Sequence, residues 1–266
     1  MQFMILRRAD KRSESGRLSA AESDLLFAQL QPSANAVRLT LSDGQTTVTP
    51  GPFADCAEMI AGFAIIDVPT IDDALDWIKR WPVSDSPVEL EIRESGCHGG
   101  CAQVLPPDGA GLQGQRFAIL LRSSRPLDDE APVPQDMLNA LDAHNAVQAR
   151  AGVLLAADGL RSSARGARVK MAHNTFSVID GPFTEIKEMI AGFWLICVPG
   201  MEDAIAWAKR NPYPTGPHVE VEIRQLFDAS GASTGACSQF TPELEAAEQR
   251  IRAEQLEAGM RAQFTA

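Results

Sequence analysis

Basic residues and long apolar runs are scarce in this sequence. It contains 24 Lys and Arg against 35 Asp and Glu, a formal net charge of −11 over 266 residues. Phosphate backbones bind clustered positive charge, so this composition argues against a nucleic-acid partner. No apolar run approaches the roughly 20 residues of a membrane span, and the first basic residues follow a short apolar run, the reverse of a secretory signal. We therefore expect a soluble cytoplasmic protein without a membrane partner.

Cysteine is also sparse. Five scattered cysteines, an odd number, do not make a disulfide framework, and we expect a reduced chain. The group Cys97, His98 and Cys101 invites a metal or redox interpretation. Because it lies in a Gly-rich stretch without a second ligand pair, the linker interpretation is favoured. The sequence predicts no metal and no cofactor.

What the chain has is a duplicated passage. Residues 51–82 and 181–212 align without gaps and share 18 of 32 residues. Both begin with Gly-Pro-Phe, and both continue through the sequence Glu-Met-Ile-Ala-Gly-Phe. The length of the match indicates a duplication at the scale of a domain, beyond the roughly 20–50-residue period of solenoid repeats.

Each copy predicts the same order of elements. Strand-length apolar runs open both copies, and alternation around a turn at Asp43 and Gly44 predicts a hairpin. Thr70, with Asp73 three residues later, has the spacing of a helix capping box. In the last strand apolar residues alternate with charged ones, so one face meets a core and the other meets water or a second sheet.

The order β-α-β, hairpin, β-α-β predicts an α+β protein with two ferredoxin-like repeats, each with an inserted β-hairpin. A sheet with helices on one side leaves an open face, so we expect the repeats to pack sheet to sheet as an intramolecular dimeric α+β barrel. The predicted domains are a shortened repeat, a Gly/Pro-rich linker, an intact repeat and a tail with a C-terminal helix, at 1–95, 96–115, 116–227 and 228–266.

The first repeat and the tail carry further predictions. Between its first strand and its hairpin, the first repeat lacks 16 residues that the second has, which removes most of a helix or the following strand. In the tail, Thr241 and Pro242 begin a charged helix to about Met260, with a thin apolar stripe. We expect this helix to dock on its own barrel or on another chain, giving a homodimer.

Residues 179–188, with the sequence Ile-Asp-Gly-Pro-Phe-Thr-Glu-Ile-Lys-Glu, and residues 151–160 upstream resemble the DGPF branch of the YCII-related family. The resemblance implies a dimeric α+β barrel and bacterial proteins often encoded beside alternative sigma factors, mostly without an assigned biochemical role. The wider family has a proposed His–Asp dyad. At the position of its Asp this sequence has Asn211, and its His has no match because His144 lies about a turn too late.

Asp180 is the candidate catalytic residue. An acid before Gly-Pro at the end of a strand has the position of a general acid or base. The alternative is a structural role, in which its carboxylate accepts hydrogen bonds from backbone N–H groups of the turn. The first repeat has Pro50 at the matching position, so any such site belongs to the second repeat.

Four further residues are candidates for ligand binding, each with a structural alternative. Lys187 and Glu188 follow Asp180 at a spacing that brings an ammonium and a carboxylate near it, although Lys187 also suits a surface and Glu188 a structural role. Asp158 takes the position of an acid in the related family, and His144 is a lone histidine without a second metal ligand.

Two functions remain open at the level of sequence. One is a small-molecule lyase or isomerase that uses Asp180 in the second repeat. The other is a non-catalytic ligand-binding or accessory protein linked to sigma-factor regulation. Both predict a small-molecule ligand, and the sequence does not choose between them.

Overall fold

The structure, a computed structural model, describes residues 1–54, 59–82, 87–97, 114–172, 175–184, 189–215 and 218–227. The chain is an α+β protein with two six-stranded antiparallel sheets. The first repeat contains β1 (Gln2–Arg8), α1 (Lys11–Ser15), α2 (Ala20–Ser23), β2 (Ala28–Gln29), β3 (Val37–Ser42), β4 (Gln45–Pro50), β5 (Ile60–Asp67), α3 (Ile71–Ile78) and β6 (Val88–Glu94). The second contains β7 (Gln115–Arg122), α4 (Arg125–Asp128), α5 (Gln135–Arg150), β8 (Leu154–Gly159), β9 (Ala167–Ala172), β10 (Thr175–Asp180), β11 (Ile190–Val198), α6 (Met201–Arg210) and β12 (His218–Gln225).

The two repeats exchange their hairpins. The first sheet has the order β10-β9-β6-β1-β5-β2, and the second has the order β4-β3-β12-β7-β11-β8. Strand β9 of the second repeat therefore pairs with β6 of the first, and β3 of the first repeat pairs with β12 of the second. The connection into each hairpin is also anchored across repeats, because Leu30 bridges to Leu226 and Leu160 bridges to Ser95.

Alternation along the last strand of each repeat decides which face meets which layer. In β6, Val88, Leu90 and Ile92 pack into a cluster that also contains Ala74 and Ile78 of α3. In β12, the apolar residues pack with α5 and α6 in the same way. The charged residues of both strands point to the opposite face, as expected for a strand with one apolar and one polar face.

A third apolar cluster joins the two sheets. It contains residues of β1, β2 and β5 from the first sheet and residues of β7, β8 and β11 from the second. Near its centre the rings of Phe63 and Phe193 lie 5.2 Å apart. These two residues occupy matching positions in the repeats, so the duplicated passage packs against its own copy.

Buried ion pairs accompany the hairpin exchange. Glu91 of β6 is fully buried, and its carboxylate lies 3.3 Å from Nη1 of Arg93 and 3.7 Å from Nη1 of Arg8. From the hairpin of the second repeat, Nε of Arg168 donates to the same carboxylate at 3.0 Å. A buried carboxylate needs such partners, because its hydration is lost on folding.

The second sheet repeats this arrangement. Glu222 of β12 is buried and accepts hydrogen bonds from Arg224 at 2.8 Å and from Arg38 at 3.1 Å. Arg38 belongs to the hairpin of the first repeat. Each hairpin therefore brings one arginine to a buried glutamate of the other repeat.

Close packing requires glycine as the first residue of both Gly-Pro-Phe turns. A Cβ on Gly51 would lie 1.8 Å from the carbonyl oxygen of Ser33, and a Cβ on Gly181 would lie 1.8 Å from that of Ser163. The turn is held further by the Phe183 N–H, which donates to Oγ of Ser163 at 3.2 Å. Only glycine fits such an approach without displacing the backbone, which accounts structurally for the repeated motif.

The first repeat is shortened both in its first helix and in the strand that follows it, the two elements between which the sequence left the choice open. Two short helices, α1 and α2, stand where the second repeat has α4 and the sixteen-residue α5. Strand β2 has two residues against six in β8. Within the described residues, none of the helices has the length and apolar character needed to cross a membrane. The segment predicted as a C-terminal helix, most of the linker, Lys187 and Glu188 lie outside the described residues.

Candidate functional site

A small cavity of about 80 Å³ lies in the second repeat, between α5 and the edge of the second sheet. Most of its lining is apolar, and its polar side chains include two carboxyl groups. The size suits a group of a few atoms, well below the roughly 300 Å³ at which pockets for whole drug-sized ligands begin. The lining residues used below are Leu121, Leu127, Glu130, Val133, Leu141, Asn145, Ala157, Asp158 and Trp194.

Asp158 supplies one of the carboxyl groups. It lies on edge strand β8, where it pairs with Phe193 of β11. Its Oδ1 accepts a hydrogen bond from the backbone N–H of Gly159 at 2.8 Å. Burial raises the pKa of Asp158 from 3.8 to about 7, because removal from water outweighs the lowering effect of that hydrogen bond.

Glu130 supplies the other carboxyl group. Nε and Nη2 of Arg161 donate to its two oxygens at 2.7 and 2.9 Å, and the N–H of Ser162 donates to Oε1 at 3.0 Å. The hydrogen bond from Arg161 holds the pKa of Glu130 at about 2, against an ordinary 4.5. A paired, ionised carboxylate and a carboxyl that titrates near neutrality thus line one cavity.

Opposite pKa shifts in neighbouring carboxyls are the pattern by which acid–base roles are assigned in enzymes. Glu130 stays ionised at neutral pH, so its charge is constant. Asp158 is partly protonated there, so it is able both to accept and to donate a proton. The cavity therefore has the components for general acid–base chemistry.

The aromatic wall of the cavity is fixed by its own contacts. Nε1 of Trp194 donates to Oδ1 of Asn145 on α5 at 3.2 Å. The Trp194 ring also packs edge-on against Tyr213, with 5.4 Å between centroids. Trp194 is therefore oriented by one hydrogen bond and one ring contact.

Cys97 of the linker also lines the cavity and is disulfide-bonded. Its Cα would lie 2.9 Å from a Cβ on Gly159, so glycine after Asp158 lets the linker pack here. The expectation of a chain without disulfides does not hold at this residue, because an odd cysteine count excludes complete pairing but not a single bond.

The structure does not bring the predicted site residues together in this cavity. Asp180 is the exposed last residue of β10, in the first sheet, and it is not among the lining residues. Its role as the catalytic acid stays a prediction. Lys187 and Glu188 lie outside the described residues. Of the predicted site residues that the structure describes, Asp158 lines the cavity.

His144 lies on α5 beside Asn145, yet it is not part of the cavity lining. Its ring contacts Trp207, with 5.7 Å between centroids. Burial, followed by the charge of Arg210, lowers the pKa of His144 below its usual 6.5. A neutral histidine against an indole ring suits packing between α5 and α6, and ligand binding by His144 stays a prediction.

The first repeat lacks both carboxyl groups. Ala28 pairs with Phe63 as Asp158 pairs with Phe193, so alanine occupies the position of Asp158. Counting from the first strands, Gly16 matches Glu130. The chemistry of the cavity is therefore confined to the second repeat.

Sequence reasoning missed Glu130, Asn145 and Arg161. Glu130 and Arg161 are 31 positions apart, and no local pattern joins them. One signal was present, since Glu130 ends an acidic run before a Pro-containing segment, a place where turns form. The backbone of Glu130 has a φ of 52°, a conformation uncommon for residues other than glycine.

Comparison with known proteins places both halves of the chain in one group. The model of the YCII-related domain family matches residues 1–94 and again residues 117–227. An uncharacterised protein of Rhizobium meliloti is 42% identical over 52 residues, which cover 20% of this chain and 42% of that protein. The match thus spans less than half the length of this relative.

Proposed function

Because the chain belongs to the YCII-related family, with one domain in each half, we propose that its second domain is a small-molecule enzyme of the lyase or isomerase type. The observation that carries the proposal is the carboxyl of Asp158 in a mostly apolar cavity, with its pKa near 7. A general base or acid is most effective when its pKa lies near the working pH.

The proposed step is a proton transfer at carbon. Ionised Asp158 accepts a proton from a carbon next to a carbonyl group, and the electron pair left behind moves into the carbonyl. In an isomerase, the protonated Asp158 returns the proton to a neighbouring atom. In a lyase, the electron pair expels a leaving group, and the proton is passed to that group or to water.

The surroundings of Asp158 support this role. Leu121, Leu141 and Trp194 line the cavity, and apolar walls that limit water strengthen electrostatic interactions inside a site. Arg161 holds Glu130 as a carboxylate, so the charge on this part of the lining stays constant while Asp158 titrates. A substrate would place the carbon next to its carbonyl group at Asp158 and keep its remaining part outside this small cavity.

The two domains have different proposed roles. We infer that they form an intramolecular counterpart of a dimeric α+β barrel, supported by the exchanged hairpins and the apolar cluster shared between the sheets. The first domain then acts as scaffold. Cytoplasmic location and a link to sigma-factor regulation stay predictions.

The first test measures proton transfer directly. A panel of small ketones, thioesters and carboxylic acids is incubated with the protein in D₂O, and loss of the proton next to the carbonyl is followed by ¹H NMR. Wild type should catalyse the exchange with at least one compound. Asp158→Asn should reduce this exchange about 100-fold or more, in the range expected for loss of a general base.

Asp180→Asn is the matched control, since it removes the other candidate acid from an exposed position. It should exchange at the wild-type rate. Exchange that is lost in Asp180→Asn and kept in Asp158→Asn would move the catalytic role to Asp180. Compounds that raise the melting temperature through the cavity but never exchange would favour the non-catalytic ligand-binding alternative.

A second test concerns the stability of the folded protein. Below pH 3.8 Asp158 is protonated in the folded and unfolded states, so its burial has no ionisation cost. Between pH 3.8 and about 7 the unfolded state releases the proton and the folded state keeps it, so the free energy of unfolding falls as the pH rises. Above pH 7 the cost is complete, at most about 4 kcal/mol.

Asp158→Asn has no such ionisation and keeps an oxygen for the Gly159 N–H. The variant should therefore be more stable than wild type in urea at pH 8 and about equally stable at pH 4. Asp180→Asn should differ from wild type by less than about 0.5 kcal/mol at both values, as is usual for an exposed position. A stability difference for Asp158→Asn that is the same at both pH values would show that its carboxyl does not titrate near neutrality.

A further inference from the structure

A second, larger cavity lies between the repeats, away from the Asp158 cavity. It is lined by the end of β1, the start of β6 and the exchanged β9–β10 hairpin, and its volume is about 790 Å³. Four cations line it: Arg7 and Arg8 from the first repeat, and Arg168 and Lys170 from the second. We call this the arginine groove. Its volume lies in the range of pockets that hold metabolite-sized ligands.

The arginines of this groove are held in place. Arg7, Arg8 and Arg168 expose only 1%, 4% and 9% of their surface. Arg7 donates to Asp10 at 2.7 Å and to Glu22 at 3.4 Å. Its Nε is buried and has no acceptor among the described residues. Fixed guanidinium groups lose little conformational freedom when an anion binds.

Carboxylates contact these cations and partly neutralise their charge. Glu91 contacts both Arg8 and Arg168, and Glu89 lies 3.3 Å from Nζ of Lys170. The Lys170 side chain is 56% exposed, so its pairing with Glu89 is a surface ion pair and contributes little to stability. Lys170 is therefore available to a ligand without disturbing the fold.

The duplication provides an internal reference for this groove. In the matching region of the second sheet, Arg122 and Arg38 occupy the positions of Arg8 and Arg168. Strand register places Thr40 opposite Glu220, as Lys170 is opposite Glu89. By the spacing of the first strands, Leu121 matches Arg7.

The comparison separates two kinds of cation. Arg8 and Arg168 have counterparts, and the buried Glu91 explains the need for them. Arg7 and Lys170 have none, so the fold of the matching region forms without them. Arg7 is offset by Asp10 and by the buried Glu22, so Lys170 is the lining cation that no buried carboxylate requires.

We propose that the arginine groove binds a small anion with two negative charges, a phosphate monoester or a dicarboxylate. Arginine forks recognise both classes through paired N–H···O bonds. The net charge of −11 opposes extended polyanions such as nucleic acid, whereas a compact anion meets the local charge of the groove, where four cations outnumber the two lining carboxylates, Asp10 and Glu89.

The test uses the full-length protein with inorganic phosphate and malonate as probes, and chloride at equal ionic strength as the reference. Phosphate, malonate or both should raise the melting temperature saturably, and calorimetry gives the dissociation constant. Lys170→Thr introduces the residue found at the matching position of the second sheet and should weaken binding about tenfold, the loss expected for one charged contact. Thr40→Lys, at that matching position, should leave the dissociation constant of the arginine groove unchanged.

The pattern of results identifies the ligand class. A response to phosphate alone indicates phosphate monoesters, and a response to malonate alone indicates dicarboxylates. Equal stabilisation by chloride, or binding that Lys170→Thr leaves unchanged, would overturn the proposal. Because Lys170 does not line the Asp158 cavity, failure of the Lys170→Thr test leaves the proposed proton transfer standing.

Discussion

Expressed alone, residues 1–95 should not give a stable, folded monomer. The first sheet takes β9 and β10 from the second repeat, so this fragment leaves β6 as an unpaired edge. It also leaves Glu91 without Arg168 and exposes the apolar cluster that the second sheet covers. Exposed edges and apolar faces of this kind promote aggregation.

Residues 114–227 are the matched fragment. This piece keeps α5 and a six-residue β8, and its own hairpin carries Arg168, the counterpart of Arg38. Two copies are able to exchange hairpins with each other, so we expect a homodimer. Mixed with the first fragment, it should also form a one-to-one complex.

Light scattering after gel filtration gives the masses, and circular dichroism gives the cooperativity of melting. A monomeric first fragment with a sharp melting transition would contradict the dependence of each sheet on the other repeat.

Glu91→Gln should be the most damaging of the conservative single substitutions in the ion-pair network. It keeps the shape of the side chain but removes the negative charge that three buried arginines share. Loss of one partner leaves the remaining buried charges uncompensated, which typically destabilises by about 3–5 kcal/mol. Urea denaturation followed by circular dichroism measures the change, read from the transition midpoint and its slope.

Glu89→Gln is the control, two residues along the same strand. Its carboxylate pairs with Lys170, whose side chain is largely exposed, so its removal should cost less than about 1 kcal/mol. If Glu91→Gln costs no more than Glu89→Gln, the buried network does not hold the exchanged hairpin in place.

The helices and strands could be predicted from the sequence, because capping residues and apolar periodicity are local patterns. The Thr70 capping box is confirmed, with Asp73 N–H donating to the Thr70 hydroxyl and the Asp73 side chain accepting from Thr70. Helix α5 spans Gln135–Arg150, with the apolar residues Leu138 and Leu141 buried three positions apart on one face. The alternation in β6 and β12 also assigned the helix-facing and opposite faces correctly, because a strand has a period of two.

The exchange of hairpins between the repeats could not be predicted from the sequence. Pairing of β9 with β6 or with β12 satisfies the same alternation, since both strands offer the same apolar and charged pattern. The choice depends on how the chain crosses after Leu30 and Leu160, which is a matter of three-dimensional connection. Local periodicity contains no information about it.

The candidate site was accessible only in part. Asp158 was identified as a candidate for ligand binding, but Asp180, beside the most distinctive motif, was the preferred catalytic residue. Burial is what separates the two acids, and burial depends on α5, β11 and the segment around Glu130 coming together. A pKa near 7 is thus a property of the assembled cavity rather than of the Ala-Asp-Gly-Leu segment.

The exchange of hairpins also affects how the two repeats change over evolutionary time. A substitution in β9 is tested against β6, and one in β3 against β12, so each repeat is under selection through its neighbour. Compensating changes should therefore occur in pairs such as Arg38 with Glu222, between repeats rather than within one. The first repeat has no counterpart of Asp158 or Glu130. It still cannot be deleted, because its strands β3 and β4 complete the second sheet.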